Sequence, residues 1–163
     1  MALSGTAERR RAAGMSPRQV TALRGNTFGA LALLIVQFAI GTVVNLYATI
    51  PARDKGSGVF GAIGRALTYG PVSLATHAGL GLLIVVAAVV LVIRSIVTRH
   101  TASIVMSAIG LTAIVSAALN GARFVADGGP ANASLAMALS TALAMLCYAT
   151  GLLLLSFSRP SPD

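Results

Sequence analysis

Acidic residues are scarce in this sequence, which has four among its 163 residues. They are Glu8, Asp54, Asp127 and Asp163, and each lies outside the long apolar stretches. Without a carboxylate in those stretches, neither paired acids for acid–base catalysis nor a nucleophile triad with an orienting acid is available there. The intramembrane glutamate on which small four-span multidrug exporters rely for proton exchange is missing as well.

Cysteine and histidine are equally rare. The single cysteine, Cys147, excludes a disulfide framework and a CxxC pair. A structural zinc site needs about four Cys or His ligands, whereas this chain adds only His77 and His100. A single copy of the chain is therefore not expected to bind a zinc ion.

Charge is absent from four long stretches. The chain is 56% hydrophobic and 10% charged, and its mean hydropathy is +0.84, which is more apolar surface than a soluble domain of this length can bury. No charged residue occurs between four pairs of positions, which are Arg24 and Arg53, Arg65 and Arg94, Arg99 and Arg123, and Asp127 and Arg159. Crossing a bilayer takes about 20 helical residues. We expect transmembrane helices over about 28–50, 70–93, 102–121 and 133–157, within a membrane domain of residues 25–157.

Connections between the expected spans are short, so neighbouring helices should be antiparallel. The fold class expected is an all-α membrane protein, a four-helix bundle that runs up-down-up-down. The longest connection repeats Val59, Ile63 and Leu67 at helical spacing, which favours a short interfacial helix. Four glycines nearby count against that helix.

Basic residues flank the spans rather than cover one face of a domain, so the net charge of +8 does not indicate nucleic acid. With the amino end inside, inner segments carry eight basic residues and outer loops carry four, which favours a bacterial inner-membrane protein with both termini cytoplasmic. The apolar run after residue 27 is too long for a cleaved signal peptide. Residues 1–24 are polar and are expected to be a mobile cytoplasmic segment, and residues 158–163 a short cytoplasmic tail.

Small and polar residues recur every four positions within the spans, as expected of faces that contact protein rather than lipid. We expect these faces to converge. They consist of Gln37, Gly41 and Asn45 in the first span, Ser73, His77 and Gly81 in the second, Thr112, Ser116 and Asn120 in the third, and Met137, Thr141, Met145 and Tyr148 in the fourth.

A protonatable ring in hydrocarbon is costly unless it is satisfied, which makes His77 the leading candidate residue. Three interpretations stay open: a neutral ring that bonds a neighbouring carbonyl or Asn45, a ligand to haem iron, and a proton relay. The second axial ligand of a haem would be Met137, a symmetry-related His77, or nothing. His100 is expected at the membrane surface on the opposite side.

Four further residues complete the candidate site. Counting helical rise from the outer surface puts Asn45, His77 and Asn120 in one layer, with Arg123 beside it. Gln37 lies nearer mid-membrane. We interpret both Gln37 and Asn45 as helix–helix contacts rather than ligand contacts. We interpret Arg123 as a contact to a lipid headgroup rather than to a bound propionate or phosphate. Cys147 and the methionines are interpreted as packing residues.

One pair of segments resembles a known family. The stretch VQFAIGTVVNLYATIP, followed by THAGLGLLIV, is similar to a helix pair of the haem A synthase family, whose four-helix halves bind haem b. By that resemblance Gln37, Gly41, Pro51 and His77 match the family pattern, and His77 would be an axial ligand of the iron. The resemblance covers about the first two spans. The family's Glu followed closely by His-Arg is absent, and so is its partner histidine.

The chain also resembles small uncharacterised four-span bacterial membrane proteins, which imply no activity. We therefore expect an integral membrane protein of non-enzymatic character, either self-associating or an accessory subunit. The alternatives are a haem b-binding electron carrier or haem-handling protein that uses His77, and a small transporter or pore. The partners expected are the lipid bilayer and a second copy or a larger membrane complex, not nucleic acid.

Overall fold

A computed structural model describes residues 16–47 and 56–157, and nearly all of them are helical, with no strand in either range. The helices are α1 (Pro17–Tyr47), α2 (Gly58–Tyr69), α3 (Val72–Val97), α4 (Thr101–Ala126) and α5 (Ala131–Phe157). All but α2 are long and apolar enough to cross a membrane. The expected all-α bundle with four transmembrane helices is therefore confirmed.

The first helix begins well before the expected start at residue 28. Ser16 and Gln19 form a capping box, in which the Ser16 hydroxyl accepts from the Gln19 amide at 3.4 Å and the Gln19 side chain accepts from the Ser16 amide at 3.0 Å. Pro17 occupies the first helical position, where no amide hydrogen is needed. Because Val20 and Leu23 are buried in the bundle, the expectation of a separate segment is wrong for residues 17–24. Residues 1–15 and the expected tail at 158–163 lie outside the described ranges.

The short connections are set by residues in the left-handed region. Arg99 has φ 54° between α3 and α4, and Gly128 and Gly129 have φ 78° and 88° between α4 and α5. The Gly129 amide donates to the Phe124 carbonyl at 2.7 Å, which closes the end of α4. Both turns reverse the chain within three or four residues, so consecutive spans are antiparallel.

Helix α2 forms as the apolar spacing predicts, in spite of its glycines. Ala62 and Ala66 are completely or almost completely buried where α2 packs on α3 and α4. Phe60, on the other side of α2, is 88% exposed. The Gly56 amide donates to the Ala126 carbonyl at 2.9 Å, so the start of α2 is also tied to the end of α4.

The four long helices form a closed ring in which α1 contacts α3 and α5, and α4 contacts the same two helices. We call the end that contains Pro17 and Phe157 the terminal end, and the end covered by α2 the α2 end. A buried cluster that includes Leu23, Leu91 and Leu155 fills the terminal half. A second cluster joins α2 to the ring through Val44, Ala62, Ala66, Leu74, Ala122, Val125 and Ala126.

Candidate functional site

The central polar contact joins Gln37 of α1 to His77 of α3. The Gln37 side-chain amide nitrogen, Nε2, donates to the His77 main-chain carbonyl at 2.9 Å. The same nitrogen lies 3.3 Å from the His77 ring nitrogen Nε2. An amide nitrogen carries two hydrogens, so Gln37 can donate both bonds at once.

Two glycines make this contact sterically feasible. A Cβ at Gly41 would lie 2.8 Å from Cε1 of His77, and a Cβ at Gly81 would lie 3.2 Å from Nε2 of Gln37. Each helix therefore supplies a polar residue and, four positions later, the glycine against which its neighbour's polar residue packs. Because α1 and α3 are antiparallel, the two pairs face each other reciprocally.

The hydrogen bonds define which atoms of the pair are unsatisfied. The His77 carbonyl can only accept, so the Gln37 atom that faces it must be the nitrogen, which then donates to Nε2 of the ring. A neutral His77 therefore carries its hydrogen on Nδ1. Within the described residues, Nδ1 of His77 and Oε1 of Gln37 are buried without a hydrogen-bond partner. One donor and one acceptor are thus left unpaired.

A cavity of about 230 Å³ lies beside this pair, in the half of the bundle nearer α2. Apolar side chains provide most of its wall, and many of them are small. The small residues that line it are Gly41, Ala62, Ala66, Ala78, Gly81, Ala117, Ala118, Gly121, Ala122 and Ala138. The polar ones are Gln37, Thr42, Asn45, His77, Ser134 and Thr141. Leu34, Ile84 and Ile114 line the cavity and also belong to the packed core, so they form its floor toward the terminal end.

Four of the six candidate site residues line this cavity, namely Gln37, Asn45, His77 and Met137. The Met137 sulfur packs on α4, since a Cβ at Gly121 would lie 3.2 Å from it. The two other candidates are not among the cavity's lining residues. The Asn120 side chain donates to the Ser116 carbonyl of its own helix at 2.8 Å, and Arg123 is exposed.

The partner of His77 is Gln37 and not Asn45, which was one of the alternatives that the sequence left open. Asn45 instead accepts from the Ser134 hydroxyl at 2.9 Å, which joins α1 to α5. A third contact between helices joins the hydroxyls of Ser116 and Ser140, at 3.1 Å. The expected convergence of the four polar faces therefore holds for these residues.

The expectation that Thr112 lies on a face that contacts protein is wrong. Thr112 is exposed on the outside of the bundle, and its hydroxyl donates to the Ala108 carbonyl at 3.0 Å. A threonine can face lipid at this small cost because the preceding turn of its own helix supplies an acceptor. His100 is also more than a surface residue, since its Nδ1 accepts from the Ser103 amide at 3.2 Å and caps the start of α4.

The close packing of the Tyr148 ring against Gly110 was not among the expectations from the sequence. This ring is 1% exposed, and a Cβ at Gly110 would lie 2.9 Å from its Cζ atom. The Tyr148 hydroxyl is buried without a partner in the described part of the chain. Gly110, one of the two glycines of α4, is the signal in the sequence that could have indicated this contact.

No protein-family model, curated protein or solved structure matches this chain. The resemblance of Gln37, Gly41 and His77 to the haem A synthase pattern therefore stays a prediction, and Pro51 lies outside the described residues. Within residues 16–47 and 56–157, no three His, Cys, Asp or Glu side chains come together as metal ligands.

Proposed function

We propose that this chain is a non-enzymatic membrane protein that binds a small lipid-soluble molecule in the cavity beside Gln37 and His77. The observation that carries the proposal is the cavity itself, about 230 Å³ in the half of the bundle nearer α2, whereas the other half is closely packed. Apolar cavities of about 150 Å³ bind benzene-sized molecules, so this volume suits a single ring or a short apolar chain.

Access to the cavity is from the side of the bundle. Phe38, Thr42 and Leu82 line the cavity and are also exposed on the membrane-spanning parts of α1 and α3. A molecule dissolved in the bilayer would meet this opening directly, whereas one dissolved in water would not. Among the described residues the lining includes no charged side chain, which favours a neutral ligand.

The test compares two substitutions on α5. Ala138 lines the cavity, and Ala142, one turn later, is exposed. Native mass spectrometry of the protein, purified in mild detergent, should show a bound small molecule for the wild type and for Ala142→Phe. Ala138→Phe should remove it, because the added ring occupies the cavity. An adduct that survives Ala138→Phe, or no adduct on any of the three proteins, would contradict the proposal.

Haem b is the second candidate, because His77 and Met137 line the same cavity. The fit is poor. The cavity is smaller than the roughly 300–1,000 Å³ of pockets for drug-sized ligands, and haem is a larger, flat molecule. Iron would also need a lone pair of the His77 ring, and the one on Nε2 already accepts from Gln37. A visible spectrum of protein expressed with ample haem separates the candidates: a Soret band lost in His77→Ala would establish haem in place of the ligand that we propose.

A small transporter or pore is the third alternative, and the floor of the cavity opposes the pore. Leu34, Ile84 and Ile114 separate the cavity from the terminal end, where Leu23, Leu91 and Leu155 continue the packing. A role as a self-associating or accessory subunit stays part of the proposal, since ligand binding and assembly are compatible. Chemical crosslinking in intact membranes, followed by mass determination, would reveal a second copy or a larger complex.

We also propose that the protein lies in a bacterial inner membrane with both termini cytoplasmic. Phe60 on α2 and Ser16 before α1 are both exposed and lie at opposite ends of the bundle. An impermeant thiol reagent applied to intact cells should label Phe60→Cys and spare Ser16→Cys. The opposite labelling would reverse the orientation.

A further inference from the structure

We infer that the ligand of the cavity is a lipid-soluble phenol or alcohol, whose hydroxyl group is recognised by Gln37 and His77. This inference rests on the proposed function, since it names the chemistry of the molecule that the cavity holds. It starts from the two atoms of the pair that have no partner, Oε1 of Gln37 and Nδ1 of His77.

The two atoms are complementary in kind. Oε1 of Gln37 can only accept a hydrogen bond, and Nδ1 of the neutral His77 ring carries a hydrogen and can only donate one. A hydroxyl group is the smallest group that both donates and accepts. A ketone could satisfy only His77, and an ammonium ion could satisfy only Gln37. A hydroxyl on an apolar body is therefore a small neutral group that can bond to either atom.

The environment makes an unpaired polar atom expensive at this position. An unsatisfied buried donor or acceptor destabilises a protein, and hydrocarbon supplies no water to relieve it. Both atoms are enclosed by their neighbours, so the amide or the ring must turn toward the cavity to meet a hydroxyl, and the bond between Gln37 and the ring nitrogen is exchanged for bonds to the ligand. Both side chains already line the cavity, so this movement is a rotation of a side chain and not of a helix.

The hydroxyl groups of the lining and the side-chain oxygen of Asn45 already take part in hydrogen bonds. The hydroxyls of Thr42 and Thr141 donate to carbonyls of their own helices, those of Phe38 and Met137. Ser134 donates to Asn45. Among the described residues that line the cavity, the unpartnered buried atoms belong only to Gln37 and His77. The hydroxyl specificity should therefore depend on this pair.

The experiment uses two probes that differ only in a hydroxyl and a methyl group, 4-fluorophenol and 4-fluorotoluene. Each is titrated by ¹⁹F NMR into the full-length protein in detergent micelles. Ala138→Phe, which blocks the cavity, measures the uptake by micelles alone. Gln37→Met keeps the length of the side chain and removes its polar atoms. Thr42→Val is the matched control, because its hydroxyl also lines the cavity but already has a partner.

After the micelle uptake is subtracted, we expect the wild type to prefer 4-fluorophenol by about tenfold, the ratio expected for one hydrogen bond. Gln37→Met should lower this preference to about twofold or less, and Thr42→Val should retain it. Circular dichroism would show that each variant is folded, and His77→Leu provides a second variant of the pair.

Two outcomes would overturn the inference in different ways. If both probes bind equally well and Ala138→Phe blocks both, the cavity is a binding site and only the hydroxyl specificity is wrong. A preference for 4-fluorophenol that persists in both Gln37→Met and His77→Leu would also show that the assignment of the hydroxyl specificity to this pair is wrong. If neither probe binds beyond the uptake that Ala138→Phe shows, the proposed function fails together with the inference.

Discussion

The side-chain amide of Gln37 donates to both the main-chain carbonyl and the ring nitrogen Nε2 of His77, at 2.9 and 3.3 Å. One residue of α1 thus fixes a residue of α3 at its backbone and at its side chain. Measured hydrogen bonds between membrane helices contribute about 0.6 kcal/mol on average, so this contact adds little to stability. Its larger effect is on orientation, because it sets the hydrogen on the His77 ring and holds both side chains at the cavity.

The glycines that face this pair should be intolerant of a methyl group. Gly41→Ala would place a Cβ 2.8 Å from the His77 ring, and the ring or the helix would have to shift. Overpacking of this kind typically costs about 1–3 kcal/mol, and it should appear as a lower thermal unfolding temperature in detergent. Gly81→Ala should have a smaller effect in the same direction, since the contact there is 3.2 Å, to Gln37.

The matched control for these substitutions is Gly29→Ala on the same helix as Gly41. No atom lies within 4 Å of a Cβ at Gly29, so alanine there should be neutral or slightly stabilising through its higher helix propensity. Equal effects of Gly41→Ala and Gly29→Ala would show that α1 and α3 do not approach each other as described.

A second steric contact, between Gly110 of α4 and the Tyr148 ring, can be tested with a double-mutant cycle. Gly110→Ala should destabilise the bundle by about 1–3 kcal/mol, because the new Cβ would lie 2.9 Å from Cζ of Tyr148. In a Tyr148→Leu background the same substitution should cost much less, since the smaller side chain relieves the clash. Additive effects of the two substitutions in thermal unfolding would contradict this contact.

The start of α4 should depend on His100, whose Nδ1 accepts from the Ser103 amide at 3.2 Å. His100→Ala removes this cap and should lower the stability by about 1 kcal/mol. His100→Asn offers an oxygen acceptor in place of the ring nitrogen and should restore most of the loss. Hydrogen exchange of the amides in the first turn of α4 would locate the effect, and unchanged protection in His100→Ala would exclude a capping role.

The sequence predicts the fold well because the lack of charge in four stretches is a strong constraint in lipid. Composition does not predict the start of α1, because the residues before Thr27 are largely polar. The pattern Ser16-Pro17-x-Gln19 carries a capping signal that apolar periodicity does not contain. The helix continues through Val20 and Leu23, which pack on the bundle beyond the apolar run.

The candidate site was predictable in part. The four-residue spacing of Gln37 with Gly41, and of His77 with Gly81, indicated the faces that meet. The sequence does not identify the partner of His77, because the relative depth of α1 and α3 depends on how α2 packs between them in the chain. Helical rise alone could not fix that register. Thr112 shows a second limit of prediction. Its hydroxyl bonds within its own helix, so a threonine at this position does not indicate whether that face contacts protein or lipid.

The orientation of the Gln37 amide on His77 can be measured directly from the hydrogen on the His77 ring. The two histidines of the chain allow assignment in ¹⁵N-histidine-labelled protein in lipid bilayers, with His100→Asn to identify the second signal. We expect a neutral His77 whose Nδ1 carries the hydrogen and whose Nε2 accepts from Gln37, with the signals changing in Gln37→Met. A hydrogen on Nε2, or a His77 spectrum indifferent to Gln37→Met, would contradict the contact on which the proposed site is built.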